Sequence, residues 1–269
     1  MRRTRRPNLR AALHAAAIPT FAGPRQVAET PEAIRFIQAP GWLPRGRRIY
    51  AIGDVHGCAA KLAALHALIA ADLTARPTAS ALLVHLGDYI NQGPDSAGVL
   101  TLLAAGAPVP NLHMFNLMGD HERMLLDALD GDRAAATDWL WAGGREALPS
   151  WGLDPALPRE HWPAALPAAH VALLRSLVIT HREGDYLFVH AGIRPGIALD
   201  AQSRDDLTTM RQPFLSTEQS LGVVVVHGHA SVPSVAVLPN RIGLDTGAGM
   251  GGRLTCAVLE DDVVGFLAV

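Results

Sequence analysis

An aspartate and a histidine stand two residues apart just after an apolar run in the first third of the chain. The run Ile49–Ile52 is predicted to be a buried strand, and Asp54 and His56 follow it between two glycines. Because glycine allows a sharp turn without a Cβ clash, both side chains can point at one metal ion. The same pattern also fits an ordinary strand–turn–helix, so its interpretation depends on what recurs downstream.

The arrangement recurs twice in the next 70 residues. A second apolar run, Ala81–Leu86, leads to Asp88, and a third, Leu112–Leu117, leads to Asp120 and His121. The carboxyl ends of parallel strands form the usual site of α/β sheets, and right-handed crossovers would bring these ends side by side. Helices are predicted after each strand, over residues 58–73, from Asp95, and over residues 119–130.

The second half of the chain predicts short strands, two of which again end in histidine. Tyr186–Val189 leads to His190, and Val223–Val226 leads to His229. These strands are expected to form a mostly antiparallel half, including a hairpin with strands over residues 177–180 and 186–189. We therefore predict an α/β fold with two facing mixed β-sheets flanked by helices, a four-layer sandwich.

Residues 131–170 predict a helical insert that covers this core. The insert contains Trp139, Trp141, Trp151 and Trp162 among several glycines and prolines. Core packing is the expected role of these tryptophans, with a substrate-facing aromatic wall as the alternative.

Carboxylates and imidazoles at five strand ends indicate a site for two metal ions. This donor set suits manganese, with iron or zinc as alternatives. Two cations about 3.5 to 4 Å apart need one shared carboxylate, and Asp88 is the natural bridge. The groups concerned are Asp54, His56, Asp88, Asp120, His121, His190 and His229.

Composition restricts the class of protein and its partners. Of 269 residues, 49% are hydrophobic, which indicates a globular chain, and the formal net charge of −2 argues against nucleic acid as a partner. Cys58 and Cys256 are too few for a disulfide framework, so a cytoplasmic location is expected. No apolar run reaches the roughly 18 to 20 residues that span a bilayer. The oligomeric state is not predicted.

The chain is expected to divide near residue 46. Residues 1–46 are predicted to be a basic, alanine-rich arm, with a targeting segment or a membrane-surface helix as the alternative. Residues 47–269 are predicted to form the catalytic domain, with its helical insert at about 131–170.

The ordered motifs resemble those of the calcineurin-like metallophosphoesterases, and are most similar to the bacterial branch of the phosphoprotein phosphatases. The resemblance runs from about Arg47 to the C-terminus and includes the segments 244–247 and 252–255. The motifs that carry it are Gly53-Asp54-Val55-His56-Gly57, Gly87-Asp88-Tyr89 with Gly93, Gly119-Asp120-His121-Glu122, His190-Ala191-Gly192 and Gly228-His229.

The resemblance implies a phosphoester hydrolase in which a hydroxide shared by two metals attacks phosphorus. His121 would protonate the leaving oxygen, and Arg211 would bind the phosphate, although it lacks the aromatic residue that usually precedes it. The first metal would be held by Asp54, His56 and Asp88, and the second by Asp88, Asp120, His190 and His229.

Three positions depart from the family pattern. Asn91 and Gln92 replace an aspartate that favours the protonated acid histidine and an arginine that binds phosphate in a bidentate manner. Asp120 replaces an asparagine ligand and adds negative charge at the second metal. These changes predict weaker binding of monoester dianions and a shift towards less charged esters.

Several functions are consistent with these features. A phosphatase acting on phosphorylated proteins or small phosphoesters is the first expectation from the resemblance. A dinucleoside polyphosphate hydrolase is the second, because such relatives can also lack the aspartate, and phosphodiesters or triesters are further candidate substrates. A pseudo-phosphatase that binds metal and recognises a phosphorylated partner is the alternative from another class.

Overall fold

Eleven β-strands form two sheets in residues 34–269, the part of the chain that the computed structural model describes. They are β1 (Ile37–Gln38), β2 (Arg47–Ile52), β3 (Ser80–His85), β4 (His113–Asn116), β5 (Thr180–Glu183), β6 (Tyr186–Val189), β7 (Val224–His227), β8 (Ala236–Leu238), β9 (Arg241–Gly243), β10 (Thr255–Glu260) and β11 (Val263–Ala268). The first sheet has the order β1-β11-β10-β2-β3-β4, and the second has the order β5-β6-β7-β9-β8. Of the predicted N-terminal arm, residues 1–33 lie outside the described residues.

Strands β2, β3 and β4 are parallel, and a helix follows each of them. The carboxylate of Asp95 accepts a hydrogen bond from the amide of Gly98 and caps the second of these helices, as predicted. The helices are α1 (Ala59–Ala75), α2 (Ser96–Ala104), α3 (Asp120–Leu129), α4 (Arg133–Trp139), α5 (Arg145–Ala147), α6 (Trp162–Ala165), α7 (Ala168–Ser176) and α8 (Arg204–Thr209).

Successive side chains of a strand point to opposite faces of the sheet, and they therefore pack in two different apolar layers. On β2, Ile49 packs between the two sheets against residues such as Phe188 and Ile242, whereas Tyr50 and Ile52 pack beneath the helices. Each such side chain contributes about 1.5 to 3 kcal/mol when it is fully buried. A third cluster lies on the other face of the second sheet, around Phe214. The layers confirm the predicted α/β fold with two facing mixed sheets flanked by helices.

The second half differs from the prediction in its strand partners. The hairpin β10–β11 joins the first sheet, and β6, β7 and β9 pair in parallel in the second. The first strand of the predicted hairpin is found over residues 180–183 rather than 177–180, because residues 184 and 185 form its tight turn. Period-two alternation in the sequence identifies a strand but does not indicate which strand it pairs with. This explains why the predicted strand partners differ from the observed ones.

The predicted insert, residues 131–170, contains α4, α5, α6 and the first residues of α7. Trp139 and Trp162 are buried with ring centroids 5.2 Å apart, and the indole of Trp151 donates to His170. Trp141 is 79% exposed, so core packing is the wrong prediction for this residue. Within residues 34–269, no helix combines the length and apolar character needed to cross a membrane.

Candidate metal centre

Ends of parallel strands from both sheets meet at one edge of the sandwich. The turn after β2 carries Asp54 and His56, the turn after β3 carries Asp88, and the first residues of α3 are Asp120 and His121. From the second sheet, His190 follows β6 and His229 follows β7.

Four of the predicted ligands form one close group. Their ligand atoms all lie within 4.8 Å of one another, which is the spacing expected around a single cation. Asp120 Oδ1 lies 3.1 Å from both His190 Nε2 and His229 Nδ1, and His190 Nε2 lies 3.4 Å from Asp88 Oδ1. The group is Asp88, Asp120, His190 and His229, which matches the predicted second metal site.

A second close group shares Asp88 with the first. His56 Nε2 lies 3.5 Å from Asp88 Oδ2, and His121 Nε2 lies 3.8 Å from the same oxygen. Asp88 therefore presents Oδ1 to His190 and Oδ2 to His56. One carboxylate with an oxygen facing each group is the arrangement that a bridge between two cations requires.

Asp54 stands beside these groups without belonging to either of them. Its Oδ2 accepts the backbone amide of His229 at 2.9 Å, while its Oδ1 is buried and has no hydrogen-bond partner. This free oxygen packs against Gly228 so closely that no side chain larger than glycine fits at position 228. A buried carboxylate oxygen without a donor is costly, and a cation would satisfy it, so Asp54 fits the predicted role at the first metal.

Hydrogen bonds to carbonyl groups set the orientation of two of the imidazoles. Nδ1 of His56 donates to the Ile90 carbonyl at 3.0 Å, and Nδ1 of His190 donates to the Leu86 carbonyl at 2.9 Å. Because a carbonyl only accepts, each Nε2 keeps its lone pair for a metal. This is the orientation that neutral histidine ligands need.

Burial makes the charged forms of Asp54 and Asp88 unfavourable without cations. Desolvation raises the pKa of Asp88 well above its usual value, and the neighbouring charges of Asp120 and Asp54 raise it further. Desolvation also raises the pKa of Asp54, and Asp245 adds to this effect. Two metal ions would provide the positive charge that this buried site needs, so the donor set fits the implied metals.

Glu122 holds the loop that carries Asp88, a role that the sequence did not reveal. Its carboxylate accepts the backbone amides of Asp88, Tyr89 and Gly119 at 2.9, 2.8 and 3.1 Å. Asp88 itself has a left-handed backbone with a φ of 51°, a conformation that costs about 1 to 3 kcal/mol for such residues. The amide contacts of Glu122 offset this strain and fix the bridging carboxylate.

His121 is oriented by a hydrogen bond with Asn91. The amide nitrogen of Asn91 lies 2.7 Å from His121 Nδ1 and donates to the Ala142 carbonyl at 3.1 Å. Burial lowers the pKa of His121 to about 4. Asn91 carries no charge that would raise this pKa, so the neutral form of the imidazole predominates near neutral pH.

The two predicted phosphate-binding residues lie at different sides of the centre. The amide nitrogen of Gln92 lies 3.3 Å from His56 Nε2, so this side chain reaches the first group of ligands. Arg211 is exposed, and its guanidinium donates to the backbone carbonyl of His229 at 3.1 Å. Every predicted site residue therefore contacts the metal centre or a residue within it.

Comparisons with known proteins agree with this geometry. Serine/threonine-protein phosphatase 1 of Salmonella typhimurium is 28% identical over 245 residues, which cover 85% of this chain and 98% of that protein. A symmetrical bis(5'-nucleosyl)-tetraphosphatase of Methylococcus capsulatus is 32% identical over 152 residues, but the match covers only 44% of that protein and 55% of this chain.

A solved structure described as a candidate diadenosine tetraphosphatase superimposes with a TM-score of 0.59 and 25% identity. The superposition covers 82% of this chain and 93% of that one. Residues 47–260 match the family model described as calcineurin-like phosphoesterase. With this match over most of its length, the chain belongs to the calcineurin-like phosphoesterase family.

Proposed function

We propose that the protein hydrolyses phosphoesters at two metal ions held by the predicted ligands. The observation that carries this proposal is the position of Asp88, whose two carboxylate oxygens face different ligand groups. When bound, two such cations would activate water at neutral pH and neutralise charge on the phosphoryl oxygens. Manganese is the proposed native metal, with iron or zinc as alternatives, because the donors combine carboxylates with imidazoles.

His121 and Arg211 are the proposed substrate contacts beside the metals. His121 Nε2 lies 3.8 Å from Asp88 Oδ2, and from this position the protonated form of His121 can donate a proton to the leaving oxygen. The exposed guanidinium of Arg211 can bind phosphoryl oxygens with charge-assisted hydrogen bonds. Asn91 acts through His121 and is a positioning residue.

The proposed substrate preference follows from the neutral side chains at 91 and 92. Gln92 offers only neutral hydrogen bonds where a guanidinium would bind a phosphate dianion, and Asp120 adds negative charge beside the metals. We therefore expect poor turnover of phosphomonoester dianions, including phosphorylated proteins, and better turnover of less charged phosphoesters such as diesters and triesters.

A dinucleoside polyphosphate hydrolase is the second candidate, and the contact between Asn91 and His121 favours it. The leaving group of a phosphoanhydride is a phosphate, which is far more acidic than an alkoxide and needs little protonation. A neutral His121 without a carboxylate partner is sufficient for such a leaving group.

A single experiment distinguishes these activities. Manganese-loaded protein is assayed with an aryl phosphate monoester, the matching diester and a dinucleoside tetraphosphate, with Asp88→Asn as the inactive control. Hydrolysis by the wild type that is lost in Asp88→Asn supports the proposal. Binding of a phosphopeptide without turnover of any substrate would instead indicate a pseudo-phosphatase and contradict it.

We also propose a cytoplasmic location for the protein. Both cysteines of the chain are free thiols, and Cys256 is fully buried in the first sheet. Proteins of oxidising compartments more often have their cysteines paired in disulfides. Fractionation of the source cells with an antibody against the protein would test the location.

A further inference from the structure

Trp141 and Met250 are unusually exposed for large apolar side chains. They are 79% and 70% exposed, more than any other large apolar residue in the described part of the chain. Trp141 stands in the turn Leu140–Gly144 of the insert, and Met250 ends the short helical turn Ala248–Met250. Large apolar groups that face solvent beside a site are typical of ligand-binding surfaces.

Both turns contact Gln92 at the metal centre. A Cβ on Gly143 would lie 2.9 Å from the backbone nitrogen of Gln92, and a Cβ on Gly249 would lie 2.9 Å from its side-chain oxygen. The same added Cβ on Gly249 would lie 2.6 Å from the Cβ of His56. The turns that carry Trp141 and Met250 therefore flank the same residue, next to a predicted metal ligand.

The two turns are held firmly in place. Lys61 donates to the Ala248 carbonyl at 3.0 Å, and this contact ties the Met250 turn to α1. The Ala142 carbonyl accepts from Asn91, which ties the Trp141 turn to the residue that orients His121. The guanidinium of Arg145 lies 6.0 Å from the centroid of the Trp141 ring and restricts the indole further. The backbone of both turns is therefore preorganised, so binding beside them loses little backbone entropy.

We propose that Trp141 and Met250 bind the base of a nucleotide substrate whose phosphate lies at the metal centre. This inference rests on the proposed function and narrows its substrate class to nucleotides. Every nucleic-acid base has a flat face that can stack on an indole, so an exposed tryptophan can bind a base without any hydrogen bonds to it. Because Gln92 binds phosphate less strongly than arginine would, contacts to the base provide the affinity that the phosphate site lacks.

The test compares two ligands that differ only by the base. Binding of AMP and ribose 5-phosphate to manganese-loaded protein is measured by calorimetry in the cold, with hydrolysis followed by chromatography. The wild type is compared with Trp141→Ala, Trp141→Phe and the control Trp42→Ala, which removes a half-exposed tryptophan outside this surface. Thermal unfolding confirms that each variant is folded.

We expect AMP to bind about tenfold more tightly than ribose 5-phosphate, as a stacked base would give. Trp141→Ala should abolish this preference, Trp141→Phe should keep part of it, and Trp42→Ala should keep all of it. Equal binding of the two ligands by the wild type, or an unchanged preference in Trp141→Ala, would overturn the inference. The proposed function is tested by a separate result: it fails if the wild type hydrolyses no phosphoester. Binding is measured without turnover, so that failure would not by itself decide the base-binding inference.

Discussion

The amide nitrogen of Asn91 lies 2.7 Å from Nδ1 of His121, and the same nitrogen donates to the Ala142 carbonyl of the insert. One neutral residue therefore connects the proposed acid to the helical cover of the domain. The carbonyl of Ala142 can only accept, so it requires the nitrogen of the Asn91 amide at this position. An aspartate at position 91 would have no donor for this carbonyl.

Replacing Asn91 by aspartate together with Gln92→Arg is expected to raise turnover of an aryl phosphate monoester by about tenfold or more. The new carboxylate would favour the protonated form of His121, although it gives up the hydrogen bond to the Ala142 carbonyl, and the new guanidinium would bind the phosphate dianion. Steady-state kinetics with manganese measure the effect. Asn111→Asp adds the same charge on an exposed loop and should change nothing. Unchanged monoester turnover in the double variant would contradict our account of the preference.

Asp120→Asn should weaken binding of the second metal ion without abolishing it, because asparagine is the usual ligand of the family at this position. Asp120 Oδ1 is close to both His190 and His229, so the loss of its charge weakens the group that forms the second site. Metal content after dialysis, measured by mass spectrometry, checks this expectation. The matched control is Asp127→Asn, an exposed change on the same helix, and a similar metal loss in both variants would count against the assignment.

Glu122→Ala is expected to lower the free energy of unfolding by about 2 to 4 kcal/mol and to weaken metal binding. The change leaves the buried amides of Asp88, Tyr89 and Gly119 without their acceptor. Denaturant titration and metal titration measure the two effects, with the exposed Glu146→Ala as control. Full stability with full metal affinity would show that the loop holds its conformation without this carboxylate.

Arg211→Ala should raise KM about tenfold with a smaller change in kcat. The guanidinium of Arg211 is exposed beside His229, where it would bind the substrate in its ground state as well as in the transition state. Arg211→Lys should recover part of the affinity, and Arg182→Ala, an exposed change elsewhere, should have no effect. An unchanged KM in Arg211→Ala would exclude this residue from phosphate binding.

The protein should lose stability in acid partly through a buried pair of histidines. His66 Nε2 lies 2.9 Å from His85 Nε2, and burial lowers the pKa of His66 to about 4 and that of His85 to about 3. The unfolded chain takes up these protons near the usual pKa of 6.5, before the folded chain does. Stability is therefore complete above pH 6.5 and falls below it, by up to about 1.4 kcal/mol per pH unit for each histidine.

Unfolding of the double variant His66→Leu with His85→Leu at several pH values tests this expectation. The variant should lose less stability between pH 6.5 and pH 4 than the wild type does. The control His113→Gln, which changes an exposed histidine, should keep the full pH dependence. Identical slopes for the wild type and the double variant would show that the buried pair contributes nothing.

The sequence was most informative where chemistry and local pattern coincide. Apolar runs that end in Asp54, Asp88 and His190 indicated both strands and ligands, because a buried strand and a metal ligand each have a clear residue signature. The role of Glu122 was not predictable, since its partners are backbone amides that leave no trace in residue types. Partners of β10 and β11 were also missed, because pairing between distant strands depends on packing of the whole chain.

Exposure of single side chains was the other feature that the sequence did not reveal. Trp139 and Trp141 differ by two positions within one insert, and yet the first is fully buried whereas the second is 79% exposed. The left-handed backbone of Gly143 interrupts the helix here, so helical periodicity does not apply across the turn. A break of this kind depends on contacts with Asn91 and Gln92, and the Asn91–Ala142 contact joins residues 51 positions apart in the chain.

The ligands of the close group come from both sheets, with Asp88 and Asp120 from the first and His190 and His229 from the second. A cation held by all four would act as a cross-link between segments that are about a hundred residues apart in the chain. Metal binding would then oppose separation of the two sheets, and the melting temperature would rise with metal concentration. The ions that serve catalysis would also hold the sandwich closed.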